Sequence, residues 1–201
     1  KLITFGAKTP KLYPYTADVI EIILRAIAEN KWGMPAQLFV RFDPGHDPAP
    51  YRALFDRYPF VRWEEADRAT HRDHIAQLLY HSDAAISVSS TFSLEACFTD
   101  TPSIWIAFDG LRYLSADTIP YRIVYESDLF RRILPTGAVR LAETPENLSF
   151  LIKGYLADPA RDGEGRRAMI RAEYGEPDGR AGERVAQVVM QALREKAVPP
   201  R

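Results

Sequence analysis

Short apolar segments alternate with longer segments of helical periodicity along almost the whole chain, and this alternation restricts the fold more than any other feature. One apolar segment, residues 84–88, is apolar on both faces, which is typical of a strand buried inside a parallel sheet. Strands that alternate with helices imply right-handed crossovers and a parallel sheet covered by helices. We therefore predict an α/β fold of three layers, with strands over residues 2–5, 37–42, 60–63, 84–88, 103–107 and 139–141.

The helices are predicted from apolar residues at spacings of three and four and from signals at helix ends. In Thr144-Pro145-Glu146, an N-capping Thr, a Pro at the first position and an acid in the first turn mark one start. The chain contains no internal repeat and no low-complexity linker. We therefore expect one domain over residues 1–196 and a frayed tail over 197–201. Helices are predicted over residues 16–30, 49–58, 71–81, 91–98 and 145–157, in part of 121–133 and 161–174, and after Gly179.

Composition excludes several classes of protein. The 201 residues carry 26 Lys and Arg against 27 Asp and Glu, a net charge of −1, so no broad basic face is available for a nucleic-acid backbone. No stretch approaches the roughly 18 apolar residues of a membrane helix. The single cysteine, Cys97, suits a reducing cytoplasm, where we expect the protein to reside. The chain opens on a strand without Met, which favours a piece of something longer.

The loop after the fourth strand is the richest candidate site, because parallel sheets bind ligands beyond the carboxyl ends of their strands. Ser89, Ser90 and Thr91 precede or begin a helix whose backbone N–H groups and dipole suit an anion such as a phosphate. Plain N-capping is the simpler interpretation. Glu95 lies one turn further along, where its carboxylate could accept hydrogen bonds from a ribose diol or could be an ordinary surface acid.

Other strand ends offer weaker candidates. Arg41, at the end of the second strand, could pair with a phosphate or with Asp43 or Asp47. The first loop, with Gly6 and Lys8, could also reach a phosphate, although it lacks the glycine spacing of a P-loop or a dinucleotide fingerprint. Trp63 could stack on a base, but ordinary packing is the simpler interpretation.

Two further groups of polar residues are more simply explained as solvent-exposed helix faces than as functional sites. His71 and His74 lie one turn apart, but no further His or Cys cluster supports a zinc site, and we expect no metal. Arg166, Arg167 and Arg171 are most simply read as the solvated face of a helix.

A series of motifs occurs in a characteristic order along the chain: His81–Ala84, Ser89–Ala96, Asp100–Pro102, Ile106–Asp109, Gly137–Arg140, Thr144–Leu148, Tyr155–Pro159 and Asp178–Ala181. In this order the motifs resemble the C-terminal half of two-domain GT-B glycosyltransferases. The similarity is strongest to the branch that contains CDP-glycerol glycerophosphotransferases and surface-polysaccharide transferases. In this resemblance, Asp43 stands where relatives usually carry His in an Arg-x-His-Pro segment, and Leu129 stands where they often carry His.

The resemblance implies a Rossmann-like domain that binds a nucleotide-diphosphate sugar or a CDP-polyol as the activated donor. It implies that Ser89, Ser90 and Thr91 hold the diphosphate and that Glu95 holds the ribose. Arg41 matches the family's basic residue, and Asp109, which ends one of the matching motifs, is a further predicted donor-binding residue. No cofactor is implied beyond the donor itself.

Transfer from a diphosphate needs positive charge and N–H donors where negative charge develops, and the helix terminus with Arg41 could supply both without a metal. The resemblance places the acceptor, the general base and any peripheral membrane contact in a facing N-terminal domain. We therefore predict the donor-binding half of a glycosyl- or glycerophosphotransferase of bacterial surface-polysaccharide synthesis, with little turnover alone. A nucleotide-sugar 2-epimerase and a degenerate, non-catalytic binding module are the alternatives.

Overall fold

Six parallel strands form a single sheet in the order β3-β2-β1-β4-β5-β6. The structure is a computed structural model that describes residues 1–7, 15–42, 46–65, 71–88, 90–109 and 121–197. This sheet confirms the predicted α/β fold. The strands are β1 (Leu2–Ala7), β2 (Gln37–Phe42), β3 (Val61–Glu65), β4 (Ala84–Ser87), β5 (Ser103–Ile106) and β6 (Val139–Ala142).

Helices connect the strands, and their bounds agree with the sequence pattern to within a few residues. Thr144 accepts a hydrogen bond from the backbone N–H of Asn147 at 3.1 Å, so the predicted N-cap is confirmed. The predicted tail lies outside the described residues after Ala197. The helices are α1 (Thr16–Ala28), α2 (Arg52–Phe55), α3 (His71–Tyr80), α4 (Thr91–Phe98), α5 (Tyr121–Val124), α6 (Asp128–Ile133), α7 (Pro145–Ala157), α8 (Gly163–Tyr174) and α9 (Ala181–Ala197).

The two faces of the sheet carry different helices. Alternate strand residues such as Phe5, Val40 and Ile86 are fully buried in a core shared with α1 and α7. On the opposite face, Ala85 packs with residues of α3 and α4, and Trp105 packs with residues of α4 and α8. The period of two in side-chain direction therefore separates the two helical layers.

One prediction about α8 is wrong. Arg166 does not lie on a solvated helix face, because its side chain is fully buried. Its Nε donates to Oδ1 of Asp100 at 2.7 Å, and its Nη1 and Nη2 donate to backbone carbonyl oxygens of Arg161 and Pro159. Arg167, the next residue, has a half-exposed side chain as predicted. The buried guanidinium is accommodated because it has carbonyl and carboxylate acceptors.

The carboxyl ends of the six strands lie along one edge of the sheet. The strand order reverses between β1 and β4, which is where parallel α/β sheets open a crevice for ligands. Among the described residues, no helix is both long and apolar enough to cross a bilayer.

Candidate functional site

Four residues form a row across the carboxyl edge of the sheet. Gly6 on β1 is in register with Arg41 on β2 and with Ser87 on β4, and Arg41 is in register with Glu64 on β3. Residues in register on neighbouring parallel strands point to the same face. The fold therefore brings together the ends of four strands at the predicted ligand edge, although these residues are distant in sequence.

Gly6 allows a close approach between β1 and the start of α4. A Cβ atom at this position would lie 3.0 Å from Cδ1 of Phe92, closer than ordinary packing permits. The structure thus gives Gly6 a packing role beside the Phe92 ring, and the predicted contact of the first loop with a phosphate stays a prediction. The short distance fixes where the N-terminus of α4 lies relative to the end of β1.

The hydroxyl-rich segment separates into buried and exposed members. Ser87 and Ser93 are fully buried, and their hydroxyl groups hydrogen-bond each other at 2.7 Å. Ser90 is the N-cap of α4, and its hydroxyl accepts from the backbone N–H of Phe92 at 3.2 Å. The predicted N-capping is therefore confirmed for Ser90, while Ser89 lies outside the described residues.

Thr91 and Glu95 share the exposed face of α4. Thr91 is the first residue of the helix and Glu95 follows one turn later, and both side chains are exposed while the residues between them are buried. Thr91 and Glu95, which are predicted to contact the diphosphate and the ribose, therefore lie on one side of the helix, toward its positive end. The arrangement suits a ligand that lies against the start of α4.

Arg41 is paired with Glu64, which the sequence analysis did not anticipate. Its side chain is only 4% exposed, and its Nη1 donates to Oε1 of Glu64 at 2.6 Å. The two acids considered from the sequence were Asp43, which lies outside the described residues, and Asp47. The register between β2 and β3 makes Glu64 the adjacent residue instead.

His74 contacts the same carboxylate from α3. Its Nδ1 lies 3.1 Å from Oε1 of Glu64, and its side chain is 43% exposed. The predicted solvated histidine is therefore only partly solvated. Among the described residues, no group of three or more His, Cys, Asp or Glu is placed to hold a metal ion.

Trp63 lies apart from the row. It precedes Glu64 in β3 and is in register with Val40, so its side chain points to the face opposite Arg41. Its ring stacks on Phe55 with centroids 5.9 Å apart, and the Arg52 guanidinium lies 5.6 Å from its centroid. The packing interpretation of Trp63 matches this position.

The remaining candidates have varied positions. Asp109 follows β5 at the same edge and is half-buried, and Leu129 lies in the first turn of α6 with a partly exposed side chain. Lys8 and Asp43 are outside the described residues.

Sequence reasoning missed Glu64, His74 and Phe92 as neighbours of the site, because their proximity depends on strand register and on the packing of α3 and α4.

Comparisons with known proteins place this fold. No protein-family model matches the chain, and no curated protein matches it. Solved structures do match. A Listeria monocytogenes protein described as a UDP-N-acetylglucosamine 2-epimerase superposes with a TM-score of 0.61 at 16% identity, over 100% of this chain. The S. aureus MnaA–UDP structure has a TM-score of 0.59 at 15% identity, over 99% of this chain.

The wall teichoic acid polymerase TagF, in a structure soaked with CDPG, has a TM-score of 0.54 at 13% identity, over 99% of this chain. The fold is GT-B-like. The resemblance to GT-B proteins is therefore confirmed for the architecture. This GT-B-like chain spans 46%, 47% and 43% of the lengths of the three structures, less than half of each.

Proposed function

We propose that this chain is the donor-binding half of a glycosyl- or glycerophosphotransferase of bacterial surface-polysaccharide synthesis. The observation that carries the proposal is the row at the carboxyl edge, in which Gly6 lies between Arg41 on β2 and the end of β4 and closely approaches Phe92 at the start of α4. The edge belongs to a GT-B-like sheet. A basic side chain and a helix N-terminus at one strand edge suit a diphosphate.

In this proposal, the start of α4 binds the diphosphate of the donor. Hydroxyl and backbone N–H groups come from Ser89, Ser90 and Thr91. Lys8 supplies an ammonium group, and Arg41 supplies a guanidinium. In glycosyl transfer the sugar–oxygen bond breaks and a nucleoside diphosphate leaves, whereas in glycerophosphoryl transfer the anhydride bond within the diphosphate breaks and CMP leaves. In both cases the transferred group passes to the acceptor, negative charge grows on the leaving phosphate oxygen, and these donors stabilise it. Glu95 accepts hydrogen bonds from the ribose hydroxyls. The donor is a substrate, and these residues act on it directly.

The acceptor site and general base are proposed to lie in a facing α/β domain. This chain spans less than half of the length of the solved structures that it matches, which supports the proposal of a second domain. The face of α9 also supports it, because five apolar side chains there are more than half exposed on the described chain: Val185, Val188, Val189, Met190 and Leu193. Such a face is normally covered. A cytoplasmic location is part of the same proposal, since activated donors are intracellular substrates.

Titration of the chain with UDP and CDP, followed by amide chemical shifts and calorimetry, tests the proposal. We expect shifts at Ser90, Thr91 and Glu95 and a measurable Kd for at least one nucleotide. Glu95→Ala should weaken binding by about 1–3 kcal/mol, because ribose hydroxyls lose their acceptor. Glu183→Ala, an exposed acid on α9, is the matched control and should leave Kd unchanged.

Three outcomes would redirect the proposal. Unchanged spectra at millimolar UDP and CDP would refute nucleotide binding and favour a non-catalytic module. Efficient sugar transfer by this chain alone would refute the need for a facing domain. Incubation of a longer protein with a nucleotide N-acetylhexosamine, with formation of the C2 epimer, would identify an isomerase instead.

A further inference from the structure

We infer that Glu64 and His74 are positioning residues that hold Arg41 in the orientation needed for the donor diphosphate. The inference rests on the proposed function, since it concerns how one residue of that site is oriented. It is carried by the contacts of a single oxygen atom, Oε1 of Glu64, which joins residues from β2, β3 and α3.

Arg41 needs a fixed partner because of where it lies. Arg41 is the penultimate residue of β2 and is only 3% exposed, and a buried charge is costly without a hydrogen-bonded counter-charge. Glu64 is the adjacent residue on β3, and parallel register holds the two backbones about 4.8 Å apart. The 2.6 Å contact from Nη1 to Oε1 therefore follows from the sheet itself.

The guanidinium is planar, and its five N–H donors are held in a rigid fork. Fixing one nitrogen against Glu64 consequently fixes the direction of the whole group. A long arginine side chain that is already oriented loses less conformational entropy when a phosphate binds. The pair can thus increase affinity without Glu64 touching the ligand.

His74 in turn fixes Glu64. A carboxylate oxygen can accept two hydrogen bonds, and Oε1 receives one from Arg41 and a second contact from His74 Nδ1 at 3.1 Å. The side chains become less exposed along the series, from 43% for His74 to 25% for Glu64 and 4% for Arg41. The series runs from solvent to the buried guanidinium and couples α3 to the strand edge.

Calorimetric titration of variants with UDP and CDP tests this inference. Glu64→Ala should weaken the tighter nucleotide about tenfold, and His74→Ala about threefold. His74→Asn should restore most of the loss, because the Asn amide nitrogen lies near the position of Nδ1. His81→Ala, at the end of the same helical segment, is the matched control and should bind as the unsubstituted chain does.

A double-mutant cycle separates positioning from a general structural role. In an Arg41→Gln background, Glu64→Ala and His74→Ala should have no further effect on Kd. Equal losses in both backgrounds would overturn the inference, as would unchanged Kd values in the single variants. If Glu64→Ala does not fold, the partly exposed His74 still provides the same cycle. Absence of binding by the unsubstituted chain would refute the proposed function and this inference with it, whereas binding without any effect of these variants refutes the inference alone.

Discussion

Arg166 and Asp100 are joined by a 2.7 Å hydrogen bond from Nε to Oδ1, although they lie 66 positions apart. The arginine is fully buried, whereas the Asp100 side chain is 56% exposed. Because the other guanidinium nitrogens donate to carbonyls of Pro159 and Arg161, this side chain ties the end of α4 to the turn between α7 and α8.

Arg166→Ala should lower the free energy of unfolding by about 2–4 kcal/mol, because it leaves part-buried carbonyl oxygens without their donors and opens a cavity where the buried side chain was. Arg167→Ala is the matched control. Its half-exposed side chain lies 3.9 Å from the same Asp100 carboxylate, and we expect a change within about 0.5 kcal/mol. Urea unfolding measures both, and equal effects would contradict a structural role specific to Arg166.

Gly6→Ala should lower the free energy of unfolding by about 1–3 kcal/mol, since the added Cβ would lie 3.0 Å from the Phe92 ring and displace the start of α4. The same displacement should weaken UDP or CDP binding. Gly182→Ala is the control, because a Cβ there meets nothing within 4 Å. If Gly6→Ala unfolds at the same temperature as the unsubstituted chain, the close approach between β1 and α4 is not needed for stability.

The ion pair between Arg140 and Asp162 should make the free energy of unfolding depend on pH in the acidic range. Hydrogen bonds from Arg140, with a further one from Tyr155, hold the pKa of Asp162 below its usual value of 3.8. The ionised carboxylate therefore stabilises the folded chain above about pH 4, and this contribution is lost as pH falls through the lowered pKa.

Asp162→Asn should consequently be less stable than the unsubstituted chain at pH 7, and its stability should fall less steeply between pH 4 and pH 2. Arg140→Gln should flatten the same part of the profile, because it removes the main donor to Asp162. Urea unfolding across this range measures the slopes. Parallel profiles for all three proteins would show that the pair contributes nothing to the pH dependence.

Cys97 should be unreactive in the folded chain. The thiol is buried, and burial raises its pKa to about 12, so the reactive thiolate is scarce at pH 8. A colorimetric disulfide reagent should therefore label no thiol in the native protein and one in denaturing urea, since the chain has a single cysteine. Rapid labelling of the native chain would contradict the packing of α4.

Two Leu→Ala substitutions should differ sharply. Leu148 in α7 is fully buried, and Leu148→Ala should lower the free energy of unfolding by about 2–5 kcal/mol. Leu193 in α9 is 57% exposed, and Leu193→Ala should change it by no more than about 0.5 kcal/mol. A large effect at Leu193 would mean that the apolar face of α9 is covered in solution, for example by a second copy.

Local signals predicted most of the elements because their causes are local. The strand at 37–42 and the helix starting at Thr91 were predicted within a residue, since side-chain periodicity and capping act over a few positions. The burial of Arg166 could not be predicted in this way. Its segment is rich in charge, and nothing nearby in sequence indicates that carbonyls at the end of α7 and a carboxylate after α4 converge on it.

Alternation of strands and helices along the chain is enough to predict the α/β class, the parallel arrangement and the strand edge where the candidate site lies, because this pattern leaves few ways to bury both faces of a sheet. The side chains that meet at that edge follow from tertiary contacts instead. Strand register pairs Arg41 with Glu64, the packing of α3 adds His74, and side-chain alternation turns Trp63 to the other face. Each depends on contacts between segments distant in the chain, which no local pattern specifies.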